Sequence, residues 1–328
     1  MRRALKVEID RFPVAGRFTI ARGSRTEIVV VTATLSEGGA TGRGECVPYA
    51  RYGETVEGVA GLIESLRDRL EAGLGRAELQ EALPAGAARN AIDCALWDLE
   101  AKLTGVPAHV AAGIYRLAPV TTAYTISLDT PEAMAEATAR AATRPILKIK
   151  LGSPGGDLER IAAVREAAPG ATLIADANEG WTEANLAHHL AACAKAGFAL
   201  IEQPVPAAID AILADRPRDV MICADESLHD RTSLPGLVGR YDAINIKLDK
   251  AGGLTEALAL AAEAQRLGFS LMIGCMLGTS LAMAPAMLIA PKARFVDLDG
   301  PLLLAREREN GLRYEGSTVY PPPPSLWG

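Results

Sequence analysis

The stretch RPILKIKLG, residues 144–152, sets two lysines two positions apart in an otherwise apolar run. Lys148 and Lys150 alternate with Leu147, Ile149 and Leu151. A period of two marks a β-strand and sends both ammonium groups to one face.

Outward from this strand the pattern is regular. From about residue 119, VTTAYTI, PILKIK, TLIAD, FALIE, VMICAD, AINIK, LMIG and FVDLD read as strands. Amphipathic stretches near 131–142, 155–167, 182–196, 208–215, 230–239, 253–267 and 278–289 read as the helices between them. Strands alternating with helices fit an open doubly wound sheet or a closed barrel. Eight units over roughly 180 residues, with no glycine-rich phosphate fingerprint after the first strand, favour the barrel, with short helices.

The first third differs. ALKVEIDRF, TEIVVVTATLSE and ATGRGECVP have strand alternation, with Gly38-Gly39 as a turn between the second and third. Helical patterns follow at 55–73 and 86–104. ARNAIDCALWDLEAKLTG places Ala91, Ala95, Leu99 and Leu103 on one face and stops at Gly105 before Pro107. The expected fold is therefore α/β: a modified (β/α)7β TIM-like barrel over 116–299 with an N-terminal α+β capping domain over 1–115. The tail, 300–328, with its proline-rich YPPPPSLWG, is expected to run extended over the surface and pack back on the cap.

Composition narrows the function. Against 40 Asp and Glu stand 34 Lys and Arg, a net charge of -6, with no basic block, so nucleic acid and anionic membranes are poor partners. MRRALKVEID alternates apolar and charged residues instead of opening a secretory apolar run, and no stretch approaches the ~20 apolar residues of a membrane span. Cysteines 46, 94, 193, 223 and 275 are scattered without CxxC spacing, which reads as reduced thiols of a cytoplasmic protein. His188 and His189 are adjacent in a helical pattern and make no metal cluster.

In such a barrel, chemistry sits at the C-terminal ends of the strands. Strand two ends in Lys148 and Lys150, strand three in Asp176, strand four in Glu202, strand five in Asp225 and strand six in Lys247, while strand eight carries Asp297 and Asp299. Buried charges must be paired or bound to metal. Asp176, Glu202 and Asp225 on adjacent strands repel one another unless a hard divalent cation joins them, which suits Mg²⁺, with Mn²⁺ as the alternative. Strands two and six face each other across an eight-strand ring, so Lys150 and Lys247 should flank a ligand held on that cation. A substrate carboxylate there would present its α-carbon between two amines, one removing the proton and the other supplying one to the opposite face. The cation would stabilise the resulting enediolate. Desolvation, the nearby cation and a second ammonium, for which Lys148 is the nearest candidate, should lower the pKa of the base; Lys148 could also touch the substrate carboxylate.

LKIK, IADANEGW, LIEQP, ICADES and INIKLDKAGG, in this order, resemble the enolase superfamily, in its muconate-lactonizing-enzyme-like subgroup with lysines on strands two and six. The resemblance covers essentially the whole chain, with ALWDLEAKLTG resembling a characteristic helix of the cap. It implies Lys150 and Lys247 as the acid/base pair and Asp176, Glu202 and Asp225 as metal ligands, with Asn178 and Glu226 nearby. Lys250 competes with Lys247, but Lys247 directly closes the apolar run. The mandelate-racemase type needs a histidine after strand seven, where MIGCMLGTS has none.

FVDLDGP bears on the substrate. Asp297 and Asp299 are two apart, so both can point inward from strand eight, opposite strand four, and two acids there demand a cation. The pair resembles the D-x-D motif of the L-Ala-D/L-Glu epimerases, as do RGSRTE, PYARYGET and ALPAGAARN. A dipeptide has the matching layout: a carboxylate for the metal, an α-carbon between the lysines and an ammonium for the aspartates. Arg22, with Arg25 second, could take the side-chain carboxylate of a glutamyl residue. The resemblance further implies Thr125 and the backbone around Cys275 and Leu277 as substrate contacts. The expected activity is a Mg-dependent dipeptide epimerase, an isomerase interconverting L-Ala-L-Glu and L-Ala-D-Glu in reuse of cell-wall peptides, with a homo-oligomer left open. The alternatives are an o-succinylbenzoate synthase or N-acylamino acid racemase of the same superfamily, a Schiff-base aldolase, and a non-catalytic ligand-binding barrel.

Overall fold

The strand alternation of the first third folds into an antiparallel meander, β1 (Ala4–Ile20), β2 (Gly23–Glu37) and β3 (Ala40–Cys46), with Gly38 and Gly39 at positive φ in the second turn. The structure is a computed structural model that describes residues 3–328; Met1 and Arg2, with which the expected cap begins, lie outside the described residues. Helices Val56–Ser65, Arg67–Glu71, Arg76–Ala82 and Ala87–Thr104 cover the sheet. The single helix expected over 55–73 is thus two, broken at Leu66, and the helix Arg76–Ala82 is additional.

The helix Ala87–Thr104 joins two cores. Ala91, Ala95 and Leu99 pack with the cap sheet, while Cys94, Trp97 and Ala101 belong to the core around the barrel. A Cβ on Gly44 of β3 would lie 2.1 Å from the Ala91 carbonyl oxygen, so this close approach requires glycine. Leu103 is 43% exposed instead of buried with its predicted face. Each step of four residues advances about 40° around a helix, so Leu103 has turned roughly 120° from Ala91.

The barrel sheet comprises β5 (Tyr124–Ile126), β6 (Ile146–Lys150), β7 (Thr172–Asp176), β8 (Phe198–Glu202), β9 (Met221–Ala224), β10 (Ala243–Ile246), β11 (Ser270–Ile273) and β12 (Phe295–Val296), each parallel to its neighbour in chain order. A parallel bridge between Thr122 and Val296 joins its two ends. The first predicted strand, VTTAYTI, is split: β4 (Val120–Thr121) pairs with the C-terminal hairpin of β13 (Tyr314–Glu315) and β14 (Thr318–Val319). The predicted eighth strand keeps only Phe295–Val296 as strand, yet Asp297 and Asp299 stay buried. Residues 207–215 form a 3-10 helix, and the helix predicted at 230–239 contracts to Arg231–Ser233 and Leu234–Leu237.

The period of two now has a physical meaning. Leu147, Ile149, Leu173, Ala175, Ile201, Ile222, Ile244 and Ile246 join the core around the barrel. Ala123, Ile174, Leu200, Cys223, Ala243, Met272 and Phe295 form a separate apolar plug inside it. Two residues further along these inward faces come Thr125, Asp176, Glu202, Asp225, Asn245 and Asp297, all buried. The chain then returns to the cap: Trp327 Nε1 donates to the Cys94 carbonyl at 2.9 Å and the Gly328 N–H to Asp98 Oδ1 at 2.7 Å. Among the described residues no helix is long and apolar enough to cross a membrane.

The joint beneath the cap is charged. Asp249, just past β10, accepts from the Val47 N–H at 3.1 Å and Asn90 Nδ2 at 2.8 Å, both on Oδ1. Burial pushes its carboxyl up to about 7, outweighing these two hydrogen bonds, against an unfolded value near ~3.9. Between those values the unfolded chain has released a proton that the native state retains, so Asp249 makes stability fall as pH rises from about 4 to about 7, on the order of 2–4 kcal/mol. Asp249→Asn, which keeps the acceptor, should flatten this slope; unfolding midpoints of both proteins at pH 5 and pH 8 check it.

Candidate active site

The alternation of β6 brings Lys148 and Lys150 inside the barrel, and each meets carboxylates from neighbouring strands. Lys150 pairs in register with Asp176 of β7, and its Nζ donates to Asp176 Oδ2 at 2.6 Å. Lys148 Nζ lies 2.6 Å from Glu202 Oε2, 2.7 Å from Asp297 Oδ2 and 3.3 Å from Asp176 Oδ2. On the far side Lys247 Nζ donates to Asp225 Oδ2 at 2.7 Å and lies 3.6 Å from Glu202 Oε1. Lys250 is elsewhere: fully buried, it donates to Asp225 Oδ1 and the Asp225 carbonyl at 2.5 Å each and to the Asn245 carbonyl at 3.1 Å. Lys247 faces the central cavity, while Lys250 supports Asp225 from behind.

Two adjoining cavities share this part of the lining. An outer chamber of about 200 Å³ between cap and barrel is lined by Lys150, Lys247, Asp225 and Asn178 and by Phe18, Arg22, Arg25, Tyr49 and Tyr52 from the cap. An inner recess of about 40 Å³ is lined by Lys148, Thr125, Asp297, Asp299 and Leu303. Lys150, Lys247, Phe18, Cys275 and Leu277 border both. In the recess Asp299 Oδ2 accepts from the Thr125 N–H at 2.6 Å, while Asp297 Oδ1 is buried with no hydrogen-bond partner. Burial and the adjacent Asp297 push the Asp299 carboxyl up to about 7.

The lysines and carboxylates set one another's charge. Burial alone would raise Asp176, but Lys150, Lys148 and Lys247 hold it well below the carboxylate range. Lys247 and Lys250 do the same for Asp225. Glu202 stays raised, because burial and Asp176 outweigh the lysines. Burial lowers Lys247 as the sequence suggests, yet Asp225 and Glu202 overrule it and hold the ammonium well above its ordinary value. Lys148 behaves alike, held up by Asp297, Glu202 and Asp176.

Among the described residues no group of three His, Cys, Asp or Glu side chains stands ready-made around a cation. The donor set nonetheless fits one. One ammonium, Lys148, spans Asp176 and Glu202, and another, Lys247, spans Glu202 and Asp225, so positive charge already bridges each neighbouring pair of the three carboxylates. Their oxygens are hard ligands of the kind that hold Mg²⁺.

The cap closes the outer chamber through arginines. Arg22 donates to Glu226 Oε1 at 2.6 Å, the Tyr49 hydroxyl at 2.9 Å and the Asn178 carbonyl at 2.8 Å. Arg25 lies 5.8 Å from the Tyr49 ring centre and has no carboxylate partner among the described residues. Arg51 pairs in a fork with Glu179 at 2.7 and 2.8 Å. Asn178, Glu179 and Gln203, just past β7 and β8, hold positive φ without being glycine, the local strain that gathers at functional sites. Phe18, Tyr49 and Tyr52 carry no assignment in the sequence reading; the aromatic spacing in PYARYGET was the available signal.

A capped barrel with lysines on its second and sixth strands and acids on the third to fifth defines a class, and the matches agree. Residues 3–111 match the mandelate racemase / muconate lactonizing enzyme N-terminal domain and residues 132–322 the enolase C-terminal domain-like family; the chain belongs to the enolase superfamily. It is 49% identical, over 95% of its length and 98% of the relative's, to an L-Ala-D/L-Glu epimerase from Escherichia coli K12. It is 45% identical, over 88% of its length and 91% of the relative's, to an N-acetyl-D-glutamate racemase from a Pseudoalteromonas species. A crystal structure of an enolase family member from Agrobacterium tumefaciens with homology to dipeptide epimerases, with bound sodium and L-Ala-L-Glu, superposes with a TM-score of 0.98 at 58% identity, covering 99% of this chain and 100% of that one. The protein is an isomerase of the racemase and epimerase kind.

Proposed function

We propose that this protein is a dipeptide epimerase that interconverts L-Ala-L-Glu and L-Ala-D-Glu by moving a proton between Lys150 and Lys247. The observation that carries the reading is one cavity bordered by both lysines, with Asp297 and Asp299 at its closed end. Two buried carboxylates, one oxygen of them unpartnered, call for a cationic group, and the free ammonium of a dipeptide supplies it. Lys148 meets one oxygen of Asp297, but an N-acyl substrate brings no charge for Asp297 Oδ1 or Asp299, which is what separates this reading from N-acylamino acid racemisation.

Asp176, Glu202 and Asp225 would hold a divalent cation, Mg²⁺ with Mn²⁺ as alternative. When bound, it supplies positive charge beside the substrate carboxylate, offsets the charge that develops as the α-proton leaves, and relieves the upward pull of these acids on Lys247. Lys150 and Lys247 each hold or take the proton at Nζ, one on each face of the α-carbon. Lys250 keeps Asp225 oriented, and the aromatic cap residues Phe18, Tyr49 and Tyr52 exclude water from the chamber. The five free cysteines suit a reducing cytoplasm, where such dipeptides would arise from cell-wall turnover.

Arg22 is committed to Glu226, so Arg25 is the better cation for the glutamyl side chain. Arg25→Ala should raise KM for L-Ala-L-Glu about tenfold, the worth of one charged hydrogen bond, with kcat little changed. A dipeptide library that includes N-acetyl-glutamate, incubated in deuterated water with Mg²⁺ and read by mass spectrometry, tests the substrate class. Mass gain confined to acidic dipeptides fits the proposal; gain confined to N-acetyl-glutamate refutes it.

A further inference from the structure

Thr279 ties together three parts of the chain that are distant in sequence. Its N–H donates to Glu45 Oε1 at 2.8 Å and its hydroxyl to Glu45 Oε2, and the Glu45 side chain, on β3 of the cap, is fully buried. Arg308, in the C-terminal segment, donates from Nε to Glu45 Oε2 at 2.8 Å and to Thr279 Oγ1 at 3.0 Å. Its Nη2 continues into the cap sheet, to Thr32 Oγ1 at 2.9 Å and Asp10 Oδ2 at 3.1 Å. One residue along, the Ser280 N–H and hydroxyl both donate to Glu307 Oε2, at 3.0 and 2.9 Å.

This knot ends the loop that follows β11. Cys275, Met276 and Leu277 immediately precede it and line the cavity. Gly278 between them leaves no slack, since a Cβ there would meet Val47 at 3.2 Å and Glu45 Oε1 at 3.3 Å. Among the described residues, no hydrogen bond of Glu45, Thr279 or Arg308 reaches Lys150, Lys247 or the three candidate metal carboxylates. A buried carboxylate whose donors come from two other segments does not tolerate loss of one partner, because the charge would be left uncompensated.

We propose that Glu45 and Arg308 are positioning residues: they hold the loop Gly274–Thr279 in the conformation that lines the substrate cavity, so the C-terminal segment governs substrate binding without touching substrate. The inference rests on reading that cavity as a dipeptide site. A loop displaced by even an ångström loses substrate contacts while the lysines and acids keep their places.

The test uses full-length Arg308→Gln, Arg308→Lys, Thr279→Val and Thr279→Ser. Deuterium incorporation into L-Ala-L-Glu gives kcat and KM, and amide hydrogen exchange by mass spectrometry reads residues 274–280. Arg308→Gln and Thr279→Val should raise KM about tenfold with kcat within about threefold, speed amide exchange in that loop, and be largely rescued in Arg308→Lys and Thr279→Ser. Thr279→Val keeps every charge, so it carries the comparison if Arg308→Gln does not fold. Unchanged KM, or a fall in kcat with KM intact, overturns the proposal even where thermal stability drops. Absence of exchange on any dipeptide by the unmodified protein would sink the functional reading instead, and loop exchange alone would then decide whether the knot holds the loop.

Discussion

Lys150→Ala is expected to abolish solvent exchange from one epimer of the dipeptide while slow exchange from the other survives, and Lys247→Ala to show the opposite preference. The two ammoniums border the same cavity from opposite strands, Lys150 held by Asp176 and Lys247 by Asp225. Each can therefore serve only one face of an α-carbon between them. Loss of a general acid or base costs about 10²- to 10⁴-fold, and epimerisation needs both, so its rate should fall toward the upper figure in either variant. Separate incubations of L-Ala-L-Glu and L-Ala-D-Glu in deuterated water, followed by NMR of the α-proton, resolve the two half-reactions. Undiminished epimerisation in either variant contradicts the two-base assignment.

The second large effect concerns the closed end of the cavity. Asp297→Asn removes one of two buried charges and leaves the amide able to occupy the same space. A hydrogen bond to a charged group contributes roughly 1.5–3 kcal/mol, so kcat/KM for L-Ala-L-Glu should fall about ten- to a hundredfold. N-acetyl-L-glutamate, which brings no ammonium, should inhibit the variant no more weakly than the unmodified protein. Because Asp297 also pairs with Lys148, thermal unfolding should be followed in parallel. An equal loss in turnover of the dipeptide and in inhibition by N-acetyl-L-glutamate would mean that Asp297 serves Lys148 and not the ligand.

The barrel was legible because its chemistry obeys the period of two. Leu147 and Ile149 face the helices while Lys148 and Lys150 face the axis, and the alternation on β7, β8 and β10 repeats this. The same rule carried Asp297 and Asp299 inward even though β12 stops at Val296. Local pattern fails where tertiary contacts decide the structure. Residues 230–239 and Ala207–Asp215 keep helical apolar spacing, yet the first holds only a 3-10 turn and the single α-turn Leu234–Leu237, and the second winds as the tighter 3-10 helix. Arg22 lines the chamber as its place in the cap loop suggests, but its ion pair with Glu226, 204 residues away, has no trace in the local sequence. Glu45 and Arg308, 263 residues apart, left no periodicity to read at all. Lys247 shows the same limit: its burial can be inferred from a strand pattern, but the distance to Asp225, which holds its ammonium above the ordinary value, cannot.

The central claim is that the proton moves at one carbon, the glutamyl α-carbon, and nowhere else. The direct measurement is incubation of L-Ala-L-Glu with the unmodified protein and Mg²⁺ in deuterated water, with NMR of both α-positions over time. The account predicts L-Ala-D-Glu and L-Ala-L-Glu both deuterated at the glutamyl α-carbon, with the alanyl α-proton untouched. Deuterium at the alanyl carbon, or a dipeptide recovered unlabelled and unepimerised, would contradict it.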